Sequence, residues 1–163
     1  MTELTALLDQ MDRAYVRRSW HGTNLRGSIR GLSIELAVWR PQPGRHNIQE
    51  IVVHAAYWKY AVRRRLTGER RGSFPLKGSN WFAREAPDPA VWKADVRLLD
   101  SCHRALQAAV TGLDERALGR SAAGSPFDNR TVIAGIIAHD LYHAGQIQLL
   151  KKLAEEAPPS RTR

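Results

Sequence analysis

The sequence is poor in cysteine: one, Cys102, in 163 residues. An intramolecular disulfide and a cysteine-rich zinc framework are both excluded. Cys102 lies in the helical pattern VRLLDSCHRAL with nothing nearby to activate a thiolate, so it reads as a small core or interface residue. No apolar run approaches the roughly 18 to 20 residues of a membrane span. No alternating Val, Ile and Thr run bounded by turn residues marks a strand, and neither repeats nor low-complexity tracts occur. The opening MTELTALLDQMDRAY carries acids early and has no uninterrupted apolar core, so it is not expected to be a secretory signal; a cytoplasmic location is expected. Acidic residues are outnumbered, 16 against 25 Lys and Arg, for a net charge of +9. That excess raises nucleic acid or an anionic ligand as partner. The cations are dispersed, however, through Arg63, Arg64, Arg65, Arg70, Arg71, Arg161 and Arg163, and no nucleic-acid motif accompanies them. The charge reads as a solvated surface first and as steering of an anionic ligand second.

What remains is helical periodicity. A single domain over residues 1–154 with a polar tail, 155–163, suits the length. Leu4, Leu7, Leu8, Met11 and Tyr15 recur at helical steps over about residues 3 to 18. Short pieces broken by Gly22, Gly27 and Gly31 follow, then the connector PQPGRH. Asn47 and Glu50 form a capping signature ahead of IVVHAAYW, and that helix should stop at Gly68. Residues 68–87 make a long loop of a kind that often serves as a lid or binding loop. Its Phe74, Trp81 and Phe82 are expected to pack over a bundle end. Asp88 and Pro89 open a third helix ending at Gly112, and a fourth is expected over about residues 131 to 153. Four long helices predict an all-α four-helix bundle.

The last helix contains HDLYHAGQIQLL, residues 139–150. With His139 set at 0°, His143 falls at about 40° and Val132, Leu150, Ile136 and Ile147 at about 20–80°, so both histidines follow an apolar stripe. Either they are two hydrogen-bonded core histidines or they are two arms of a metal site. Side chains four apart on a helix are neighbours that can share one ion. His54 lies on the same face of its helix as Ile51, Trp58 and Val62, and so also points inward. Three neutral imidazoles from two helices would make an open, catalytic type of site. HDLYH is not a zinc-protease HExxH: Asp140 replaces the glutamate at about 100°, and is expected at the surface or behind the ligands. His21, His46 and His103 are not expected to be ligands.

HDLYHAGQIQLL, the upstream IVVHAAYWKYAVRRRLTG, the GSNW segment, the turn from Trp39 to Pro41 and the four-helix layout together resemble the DinB-like superfamily over essentially the whole chain. The resemblance implies up-down-down-up connectivity, a homodimer, and a divalent metal held by His54, His139 and His143. Members of known activity are similar to thiol-dependent transferases and isomerases using glutathione, mycothiol or bacillithiol. The family name refers to induction by DNA damage and implies no DNA binding.

Two functional readings stay open. One is a metal-dependent enzyme, a thiol-dependent transferase or a hydrolase, whose ion gives a nucleophile at neutral pH. The other is a non-catalytic stress-response protein that binds a metal or small ligand. Zinc or nickel comes first for the metal, then iron or manganese, with a low-molecular-weight thiol as a further cofactor. The expected partners are a small substrate, anionic or a thiol, and a second copy of the chain, with neither membrane nor nucleic acid. Glu50 is a candidate base, although its capping role competes, and Tyr142 and Gln146 flank the histidine pair. Tyr57 and Trp58 read as packing.

Overall fold

Each helix begins where a side-chain oxygen accepts a hydrogen bond from the unpaired N–H groups of its first turn. Thr2 does this for α1 (Glu3–Tyr15), Asn24 for the single turn α2 (Leu25–Ser28) and Ser33 for α3 (Ile34–Val38). Asn47 and Glu50 form the full reciprocal capping box of α4 (Ile48–Thr67), which ends at Gly68 with φ 74°. Asp88 caps α5 (Pro89–Thr111), a 3-10 helix follows over Glu115–Gly119, and Asp128 caps α6 (Asn129–Glu156). The structure is a computed structural model that describes residues 2–84, 86–121 and 125–157. Among the described residues there is no strand, only two isolated bridges, so the fold is all-α. No helix among them is long and apolar enough to cross a membrane.

The boundaries differ from the sequence pattern where polar groups intervene. α1 stops at Tyr15 rather than 18, because the Arg17 N–H turns back to the Asp12 carbonyl and its own carbonyl is taken by Asn24. α6 starts two residues before Thr131, since Asp128 accepts the Thr131 N–H. It continues through Glu155 and Glu156 until Ala157, which is extended as the residue before a proline tends to be. Residues 158–163 of the expected tail lie outside the described residues. The long loop packs along the middle of α4 rather than over a bundle end, because Tyr57 and Tyr60 offer it aromatic partners there: Phe82 is buried, and Phe74 and Phe82 form a ring cluster with those two tyrosines.

α4 packs against α5 and α6, and α1 closes the other side of the same pair. The apolar interior falls into two clusters. One contains Tyr15, Ile51, Val52, Ala55, Leu99 and Ile147; the other contains Leu7, Met11, Val62, Leu106, Ile133 and Ile137. Between them along the helices lies a buried polar layer. Lys59 of α4 donates to Asp140 of α6 at 2.5 Å, each side chain 1% exposed. The Lys59 Nζ also sits 4.9 Å from the centroid of the Tyr15 ring, which stacks on His103 of α5 at 3.6 Å. The Tyr15 hydroxyl donates to Asp100, which is in turn held by Arg26.

Asp140 is therefore not a surface group. The buried residues of α6 centre near its direction, and His139 sits at the edge of that stripe. A stripe centred on His139 turns Asp140 outward, whereas the true centre lies close to Asp140 itself. Burial raises the Asp140 pKa, and the Lys59 ammonium opposes that rise. Removing one partner of a buried pair strands the other charge, at a cost of about 3–5 kcal/mol. Lys59→Ala and Asp140→Ala should each lose stability on that scale in denaturant titrations, and the double variant should lose clearly less than the two together. Additive losses would show the pair to be uncoupled.

Candidate metal centre

α4 and α6 bring His54, His139 and His143 together: one ring nitrogen of each lies within 4.8 Å of the others. The Nε2 of His139 stands 3.1 Å from that of His54 and 3.0 Å from that of His143. Nitrogens sharing one ion at roughly 2.0–2.1 Å stand about 2.9–3.4 Å apart, so these separations match a common centre. His54 and His143 are buried, and His139 is half-buried at the edge of its stripe.

The far side of two rings is fixed. His54 Nδ1–H donates to the Asn80 carbonyl at 2.9 Å, and His143 Nδ1–H donates to Gln146 Oε1 at 2.7 Å. Both acceptors lack a proton to give, so both histidines carry theirs on Nδ1 and turn a lone pair inward from Nε2. Burial keeps the rings neutral. It pushes His139 down to about 3, aided by His143, His54 and Lys59, and His143 down to about 4, aided by His54. His54 is lowered as well, by burial first, with the Asn80 carbonyl opposing. His54 and His143 thus turn Nε2 lone pairs toward His139 Nε2, which can donate its own proton to one of them or share a cation with both. His139 Nδ1 is buried without a hydrogen-bond partner among the described residues.

The long loop is a strap over this site. Asn80, with φ 66°, offers its carbonyl to His54 and its side-chain oxygen to Trp58 Nε1. Trp81 stacks on His54 at 3.8 Å and on His46 at 3.6 Å. Arg84 anchors the end of the strap: its carbonyl accepts from Asn47, its N–H donates to Glu50, and its guanidinium pairs with Asp95. Asn80 was missed in the sequence; the available signal was an Asn in a Gly-rich turn, a residue type that tolerates left-handed backbone.

Glu50 is fully engaged. Its carboxylate accepts from Arg40, His46, the Asn47 N–H and the Arg84 N–H. Burial would raise its pKa, but hydrogen bonds from Arg40, His46 and Arg84 outweigh that and hold it at about 2, which leaves it no use as a base. Gln146 orients His143, since residues three apart on a helix adjoin, and its amide donates to the exposed Tyr142 hydroxyl at 3.0 Å. Burial pushes the Cys102 thiol up to about 11, so the chain's own cysteine is inert. His103 is a core residue stacked on Tyr15, and His21 is exposed.

The sequence model of the DinB superfamily matches residues 17–147. The chain belongs to the DinB superfamily. A crystal structure of a conserved protein from Enterococcus faecalis has a similar fold, with a TM-score of 0.70 at 13% identity, covering 96% of this chain and 99% of that one. No curated protein matches the chain. In this DinB superfamily member the three histidines form a cluster that could hold a divalent metal ion.

Nitrogen-detected NMR at pH 7 on metal-free protein should find His54 and His143 as neutral Nδ1–H tautomers, with His143 still uncharged at pH 5.5. Nε2–H tautomers for both would contradict the assigned anchors.

Proposed function

We propose that His54, His139 and His143 hold one divalent metal through their Nε2 atoms, and that the centre serves a metal-dependent enzyme acting on a small molecule. The carrying observation is the meeting of three neutral imidazoles, two of them locked from behind by Asn80 and Gln146. An all-imidazole donor set suits zinc or nickel, then iron, and suits manganese less, since manganese prefers oxygen ligands. Three protein ligands leave coordination positions open. Such an ion supplies Lewis acidity and a nucleophile at neutral pH.

The chain's residues provide the setting. A cavity of about 330 Å³ reaches His139 and is walled by Trp58, Val62, Val132, Ile136 and Phe127, with the exposed Arg65 also lining it. Its apolar walls take the apolar part of a substrate and exclude water, and Arg65 meets a negative group. Because Cys102 is inert and Glu50 engaged, a thiol would be an external cosubstrate, in keeping with a thiol-dependent transferase; a hydrolase would draw on water instead. A second reading, a non-catalytic binder of metal or small ligand, is favoured by one observation: the metal-capable group among the described residues contains no carboxylate to move a proton.

Native protein should carry about one equivalent of metal, and His143→Ala should lose it. Gln146→Leu, which removes the acceptor behind His143, should weaken metal binding by about 10- to 100-fold. Metal content unchanged in His143→Ala would refute the site. Turnover of a thiol with an electrophile, or of an ester, by metal-loaded protein alone separates enzyme from binder.

A further inference from the structure

A second cavity, of about 480 Å³, lies under the same loop but has none of the three histidines in its wall. Its cationic residues are Arg64 at the end of α4 and Arg71 and Lys77 of the loop. No Asp or Glu among the described residues lines it. A sphere of that volume is about 10 Å across, close to the Debye length at 0.1 M salt, so screening leaves much of the cations' mutual repulsion in place. Neither Arg71 nor Lys77 forms an ion pair or side-chain hydrogen bond among the described residues. The nearby Glu69 is occupied with Arg63. Arg64 donates one guanidinium N–H to the Glu69 carbonyl, while its Nε is buried and has no partner among the described residues. A buried N–H left unpaired is unfavourable unless something arrives to accept it.

The remaining wall is aromatic: Tyr57, Tyr60 and Phe74 contribute to it. Three forked or ammonium donors facing an aromatic wall match a phosphoryl dianion joined to a flat ring. Guanidinium groups grip such oxygens through two parallel hydrogen bonds, and the ring packs against aromatic faces. We propose that this cavity is a binding site for a small phosphorylated compound carrying an aromatic or similarly flat group, separate from the histidine centre. Ser79, also in its wall, immediately precedes Asn80, whose carbonyl holds His54, so the occupant lies against the neighbour of the residue that orients His54.

The probe is phenylphosphonate, with phenol as the uncharged counterpart, titrated calorimetrically into metal-loaded protein, chelator-stripped protein and His143→Ala. One equivalent should bind in all three. Arg71→Ala and Lys77→Ala, both at exposed loop positions, should each weaken binding about tenfold while leaving the helical circular dichroism unchanged. Phenol should not bind measurably. Absence of saturable binding, indifference to both loop substitutions, or phenol binding as tightly as the phosphonate would each overturn the site. Binding that vanishes on removal of the metal would also overturn it, because the anion would then sit at the histidine centre; failure of the metal reading alone would leave phosphonate binding intact.

Discussion

The buried pair of Lys59 and Asp140 sets how α4 meets α6. Apolar surfaces can slide past one another by a turn with modest loss, but a charge with one partner in a dry interior has one acceptable position. Lys59 lies five residues beyond His54, and Asp140 is the residue between His139 and the turn that ends at His143. A single ion pair thus fixes the level at which one histidine on α4 faces two on α6. Tyr15 and His103 complete the layer from α1 and α5, so all four long helices take their height from it. The two apolar clusters on either side supply the bulk of the burial, and the polar layer between them supplies the register.

That register would be of little use if the imidazoles were free to turn. Two are not. Asn80 and Gln146 accept the Nδ1 protons and leave Nε2 as the inward atom. One anchor comes from the strap and the other from α6 itself, so the site depends on both the bundle and the loop. The loop is therefore not a loose lid. Glu50 ties its Arg84 end to the start of α4, and the aromatic cluster of Phe74 and Phe82 with Tyr57 and Tyr60 seats its middle. A carboxylate that looked like a candidate base in the sequence proves to be a structural clamp, with its pKa held low by the same donors that the clamp needs.

Local rules carried much of the fold. The Asn47–Glu50 box, Pro89 behind Asp88 and Gly68 beyond α4 are effects of neighbouring residues, and each appears where the pattern places it. Helical spacing also turned His54, His139 and His143 toward one another, although it put His139 at the centre of a stripe whose edge it occupies. What escaped were groups defined by distant partners. Asp140 could not be placed without Lys59, which is 81 positions away. The contribution of Asn80 depends on a left-handed turn and on a histidine 26 positions earlier. The 3-10 turn over Glu115–Gly119 leaves no mark in the sequence pattern, since its Asp114 cap precedes a segment too short to show periodicity.

The direct test of three imidazoles meeting at one ion is X-ray absorption on protein loaded with nickel or zinc. Three histidine nitrogens are expected around the metal in the native protein and two in His54→Ala. A first shell of oxygens only, or one identical in native protein and His54→Ala, would show that α4 and α6 do not share a metal.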